Sequence, residues 1–209
     1  MQIINVLTQY YPSFFKALGV TLQMTVISLF FATILGVIFG LFKVSDFKAL
    51  KFIANIYIDI IRGTPLLVQV FIMYYGVGSM LRPYGFQWNM IGGAFSAGCV
   101  TLSLNAGAYM AEIIRGGIEA VDKGQMEAAR SLGLSYGKAM RKVILPQAFR
   151  TMLPTIINQF IISLKDTSLI SVIGPRELTQ NSKIIAANAS SMVMPLPRPT
   201  MTMTAMTPM

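Results

Sequence analysis

Ten polar side chains able to bind ions or a zwitterion stand inside stretches that are otherwise apolar: Asp59, Arg62 and Gln69; Asn105, Tyr109 and Glu112; Asn158, Gln159, Lys165 and Asp166. An ionised group at a bilayer centre costs roughly 3 kcal/mol on insertion scales, so such residues usually face a partner helix or a water-filled route. Their chemistry is binding and pairing. The chain has no histidine and a single cysteine, Cys99, in an apolar stretch, which removes most metal sites and nucleophile arrangements. Ser163 and Lys165 are two residues apart and point to different faces of a helix, so they do not form a hydrolase pair. Glu112 and Arg115 stand three residues apart, which suits a structural ion pair as well as a ligand role, and Asp59 and Arg62 can likewise pair with each other. Asn105 and Asn158 lie deeper, where an interhelical hydrogen bond and a substrate contact are equally good readings.

The elements that hold these residues are membrane spans. The composition is 54% hydrophobic and 12% charged, about half the charge of an average soluble domain. From Ala17 to Phe42 there are 26 residues without a charge, more than the roughly 20 that a helix needs to cross the hydrocarbon. A second span covers Phe52 to about Leu81 and is expected to kink at Gly63-Thr64-Pro65. A third uncharged run extends over 29 residues from Pro83 to Ala111, entering near Trp88 at the interface. A fourth runs from about Gln147 to Ile173. Residues 1–16 lack the features of a cleaved signal peptide and read as a short external segment ahead of an uncleaved anchor.

Lysine and arginine concentrate in two loops, Lys43 to Lys51 and Arg115 to Arg150, on one side of these spans. The positive-inside rule makes that side cytoplasmic and the N-terminus external. The net charge of +9 therefore belongs to short loops between spans and not to a nucleic-acid patch.

The segment 124–146, GQMEAARSLGLSYGKAMRKVILP, is polar and cation-rich between two spans. Glu127, Ala128 and Ala129 favour helix, Gly133 favours a stop, and Ser135 can cap a second helix ending at Pro146. Gly133 to Ala139 is the nearest approach to a phosphate-binding loop. It is one spacer short, and Ala139 stands where a magnesium-ligating hydroxyl belongs.

The triplet Glu127-Ala128-Ala129, with Gly133 and Leu145-Pro146 after it, resembles the EAA loop of ABC importer permeases. Ile61 to Gln69, Ala108 to Gly117 and Lys165 to Leu169 resemble the polar amino-acid branch of that family, over about residue 10 to Ala189. The resemblance implies an all-α membrane protein with a type I importer helical bundle, of which four spans are evident. It implies a non-catalytic permease domain over 17–189, ATPase coupling through 124–146, and a substrate pathway among Asp59, Arg62, Gln69, Asn105, Tyr109, Glu112, Asn158, Lys165 and Asp166. The implied partners are an ABC ATPase dimer carrying ATP and magnesium, a second permease subunit and an external amino-acid-binding protein, in a prokaryotic inner membrane. No cofactor is implied in this chain. The substrate is expected to be a polar amino acid, arginine-like or glutamine.

The family's fifth apolar helix is not recognisable. Residues 190–209 are rich in Met, Thr and Pro, and Pro195, Pro197 and Pro199 would break a helix. A disordered tail is expected there; a shifted reading frame, an altered chain end or a family variant would each produce it. A secondary transporter or a channel-like protein, using the buried charges without an ATPase, is the competing class; no internal repeat of the kind such transporters carry is visible.

Overall fold

The computed structural model describes residues 2–193, with side chains described from Tyr10 to Asn188. The described residues form helices and turns without a strand. Helix α1 (Gln2–Val44) is 43 residues long and contains the first span. It continues unbroken through residues 2–16.

Helix α2 (Lys48–Gly63) and helix α3 (Leu66–Phe71) meet at a 105° bend. The expected kink is thus a complete break. A π-helical turn (Ile72–Val77) joins α3 to the short α4 (Gly78–Leu81). A π turn leaves carbonyls out of the regular ladder, and here the Met73 carbonyl accepts a hydrogen bond from the Trp88 indole at 3.2 Å.

Trp88 does not open the third span. Residues Arg82–Tyr84 and Trp88–Ile91 form short 3₁₀ turns, and Gly92 and Gly93 take φ of +109° and +66° before α5 (Ala94–Glu119) begins. Positive φ is a conformation that glycine adopts without a Cβ penalty, so the Gly pair sets the true start of the helix.

Helix α5 is the most buried helix of the fold and packs along α1. Their contact depends on small residues. A Cβ on Gly36 would lie 2.5 Å from Cγ and 2.6 Å from Cβ of Met110, and a Cβ on Gly107 would lie 3.0 Å from Cβ of Leu35. Without a hydrophobic driving force between helices in lipid, such close backbone approach supplies the van der Waals contact that holds spans together. The opposite face of α1 leaves Val26, Phe30, Ile34, Val37 and Leu41 exposed, as a surface meeting lipid or another subunit requires.

Helix α6 (Lys123–Ser131) is capped by Asp122, whose Oδ1 accepts from the Gly124 amide at 2.7 Å. Gly133 then turns the chain with φ +84° into α7 (Tyr136–Ala139). A π turn (Met140–Ile144) links α7 to α8 (Leu145–Asp166). The second helix of the loop therefore does not end at Pro146. Proline is tolerated in the first turn of a helix, and the irregular π turn before it provides that start. Ser135 occupies the cap position without a side-chain cap bond.

After a 3₁₀ turn (Thr167–Ile173), helix α9 (Leu178–Val193) folds back onto α1. Its described part, 16 residues, is about 24 Å long. Polar bonds seat it. Glu177, 1% exposed, caps it by accepting from the Thr179 and Gln180 amides at 2.7 and 2.6 Å. The Leu178 amide donates to the Thr21 hydroxyl at 3.2 Å, and Ser13 donates to Asn181 Oδ1 at 2.8 Å. Residues 190–193 are helical, so the atypical tail starts later than the sequence indicates. The rest of that expectation, 194–209, lies outside the described residues.

Replacing Gly36 by Leu should push α1 off α5, because the clash falls on side-chain atoms next to the Met110 backbone. Overpacking of this kind costs about 1–3 kcal/mol, and the purified protein should lose several degrees of thermal stability. Gly19→Ala, where a Cβ meets nothing within 4 Å, should leave the melting temperature unchanged.

Candidate functional site

The break between α2 and α3 interrupts the backbone ladder within a candidate membrane span, and backbone polar groups left unpaired inside a membrane are costly. Gln69 satisfies them. Its Nε2 donates to the Ile61 carbonyl at 2.7 Å and lies 3.0 and 2.9 Å from the Thr64 carbonyl and hydroxyl. Its Oε1 accepts from Asn105 Nδ2 at 3.1 Å, which ties the broken helix to α5. Gln69 is thus engaged on both ends of its amide and stands behind the cavity wall.

In front of the break is a cavity of about 570 Å³ lined by residues 63–65 and by Arg62, Asn105, Tyr109, Gln159 and Asp166. Its size falls in the range of about 300–1,000 Å³ usual for small-molecule sites. Arg62 lies over the Tyr109 ring at 5.3 Å from its centroid. A guanidinium presents a planar fork matched to a carboxylate. In the same lining, Asp166 forms no ion pair within 4 Å among the described residues. The lining thus carries one guanidinium, one carboxylate without an ion pair, and the amides of Asn105 and Gln159.

Arg62, Asn105, Tyr109 and Asp166 are brought together as expected from their residue types. Three other candidates are not. Asp59 is exposed on α2 and lines none of the cavities at the break, and Arg62 pairs with Glu112 at 3.9 Å instead. Asn158 and Lys165 are exposed on α8 beside the cavity-lining Gln159 and Asp166. A one-residue step on a helix rotates a side chain by about 100°, which carries both off the lining.

Glu112 lies lower on α5 at the centre of an ion cluster. Lys43 from the end of α1 pairs with Oε1. Arg115 reaches Oε2 with Nη2 at 2.8 Å and Nε at 3.0 Å, and Arg115 also pairs with Glu119. The structural pair of Glu112 with Arg115 therefore exists, within a larger set. Lys43 was legible only as a basic residue in the last turn of α1; nothing local to it points across to α5.

In the 124–146 loop, Glu127, Ala128 and Pro146 are exposed, Leu145 is half-buried, and Ala129 is buried. Met126 and Met140 pack on a core of Ile114, Ile118, Ile144 and Met152. The loop is thus anchored to the bundle on one face and free on the other, where Leu132 at the bend is 84% exposed.

Membrane-length helices around a polar cavity at a broken helix, with an anchored loop at one end, define a membrane transport subunit. The family described as "Binding-protein-dependent transport system inner membrane component" matches residues 32–206, and the chain belongs to that family. The match runs past Ala189, where the sequence resemblance stops. The arginine transport system permease protein ArtQ of Bacillus subtilis is 44% identical over 163 residues, 78% of this chain and 71% of that protein. A putative glutamine transport system permease protein GlnP of Rickettsia conorii is 35% identical over 91% of this chain and 85% of its own. The crystal structure of an amino acid ABC transporter with histidines is similar with a TM-score of 0.76 and 41% identity, covering 89% of this chain and 90% of that one. The methionine transporter MetNI, at 20% identity and a TM-score of 0.64 over 85% of this chain and 88% of its own, shares the fold. The chain is a polar amino-acid ABC importer permease, a multi-pass, non-catalytic transport subunit.

Removing the Gln69 amide should collapse the site's geometry. Gln69→Leu is expected to reduce amino-acid uptake at least tenfold, with Asn105→Leu close to it. Asp59→Asn, Asn158→Ala and Lys165→Gln should stay within about twofold of the unchanged protein, measured as initial uptake rates in membrane vesicles.

Proposed function

We propose that this chain forms the translocation pathway for a polar amino acid, held between Arg62 and Asp166, and that a separate ATPase drives the transport. The observation that carries the reading is that Arg62 and the unpaired Asp166 line one cavity at the broken helix. Arg62 receives the substrate carboxylate and Asp166 its ammonium, while Asn105 and Gln159 face the side chain. Resemblance to the arginine permease favours a basic amino acid. Glutamine is the second reading, because Asp166 is the cavity's one free carboxylate among the described residues, which leaves amides and not acids for the side chain.

The ATPase dimer, with its ATP and magnesium, docks on the exposed face of α6 and the bend at Gly133, with Glu127 presented to it. That loop faces the cytoplasm of a prokaryotic cell and the N-terminus faces outside, as the distribution of Lys and Arg supports. A second permease subunit, identical or related, and an external binding protein complete the importer.

Reconstitution with the ATPase and the binding protein, followed by uptake of labelled arginine, lysine, histidine, glutamine and glutamate, tests the substrate. ATP-dependent uptake of one or more of these is expected, with Asp166→Asn lowering it at least tenfold. Transport of sugars or ions with no amino acid would overturn the reading. Gly133→Val and Glu127→Lys should weaken co-purification with the ATPase, or leave ATP hydrolysis no longer linked to uptake. Normal uptake in both would remove the docking assignment.

A further inference from the structure

The cavity at the break is not alone on its face of the bundle. A second cavity, of about 400 Å³, lies beside Glu112, Gly116, Thr151 and Thr155. On α5 the lining positions Asn105, Tyr109, Glu112 and Gly116 recur at helical spacing and form one stripe. On α8, Asp166, Ile162, Gln159, Thr155 and Thr151 descend in the opposite chain direction. The two cavities are therefore successive stations along one groove between α5 and α8. Two residues line both, Arg62 and Tyr109, and these are the two stacked as cation on ring.

We propose that Arg62 and Tyr109 form a gate between the two cavities, with Glu112 as its latch. Tyr109 projects from the rigid, buried α5. Arg62 comes from the last turn of α2, one residue before Gly63, where a Cβ would meet nothing within 4 Å and where the helix is already interrupted. A rotation of the Arg62 side chain, 43% exposed, moves its guanidinium off the Tyr109 ring without moving Asn105 or Gln159. In the present arrangement Glu112 holds Arg62 at 3.9 Å, and Glu112 is itself held by Lys43 and Arg115. The Arg62 contact is the longest of the Glu112 ion pairs, so it is the one that yields first, while Lys43 and Arg115 keep the Glu112 carboxylate in place for reclosure. Opening joins the cavities and gives a bound amino acid a route toward the end of the bundle that carries the 124–146 loop. The gate rests on the pathway reading above.

Two reporter cysteines test it in the assembled transporter with Cys99→Ser. Thr155→Cys reports the lower cavity and Ile162→Cys the upper; they stand seven residues apart, about 10 Å along α8. A membrane-impermeant thiol reagent is applied from the face carrying the 124–146 loop, without ATP. Thr155→Cys should react quickly and Ile162→Cys slowly. Adding Tyr109→Ala, Tyr109→Leu or Arg62→Gln should raise the Ile162→Cys rate at least tenfold and leave Thr155→Cys unchanged. ATP hydrolysis by each complex verifies assembly, and three alternative openings guard against one that fails to fold. Equal rates at both reporters with the gate intact, or no rise on removing it, would overturn the gate and leave the pathway standing. If neither reporter reacts from either face, the pathway reading falls and the gate with it.

Discussion

A helix that stops within a membrane leaves carbonyl and amide groups that neither lipid nor a regular ladder can satisfy. Here the whole site depends on one side chain that resolves this, the Gln69 amide. It caps the end of α2 at Ile61 and Thr64 and passes its own oxygen to Asn105. Because Gln69 belongs to α3 and Asn105 to α5, the same bonds that make the break tolerable also place it against the central helix. The cavity, with Arg62 and residues 63–65 in its lining, follows from that placement. Breaks of this kind are how transport proteins put polar groups at depth without exposing them to lipid.

Charges within the bundle divide into two kinds. Glu112 is surrounded by Lys43, Arg115 and Arg62, so its carboxylate is neutralised by groups from α1, α2 and α5 and fastens those helices near one end. Asp166 has no such company. The difference matters because an intramembrane charge needs a partner: one already paired stabilises the protein, while one left open has a ligand as its natural partner. Toward the other end, α9 is held by neutral and capping bonds through Glu177, Thr21 and Asn181, so the three sets of polar contacts have separate tasks.

Much of this was legible in the sequence. Gly63-Thr64-Pro65 announces an interruption, because glycine and proline act on the backbone itself, and the residue types of Arg62, Asn105, Tyr109 and Asp166 mark them as polar groups set in apolar stretches. What was lost was phase and partnership. Asn158 and Lys165 read as candidates as readily as their neighbours Gln159 and Asp166, which line the cavity, since a polar pair on a helix does not show which member points inward. The link from Lys43 to Glu112 spans 69 residues and depends on how α1 lies on α5. Pro146 read as a stop because a proline inside a helical pattern usually is one; the π turn that makes room for it has no clear sequence signature. Helix α9 escaped notice because its polar residues count against a span, whereas in the fold they are bonds to α1 and to the 3₁₀ turn, including Lys183 to Ser171 at 3.1 Å.

The account's central claim is that the cavity at the broken helix holds the transported amino acid as a zwitterion. A density map of the assembled importer with that amino acid bound, before ATP is added, tests it most directly. The claim predicts density in front of residues 63–65, with the substrate carboxylate about 3 Å from the Arg62 guanidinium and its ammonium at the same distance from Asp166. Density that avoids this cavity and lies instead against Asp59, Asn158 or Lys165 would contradict it.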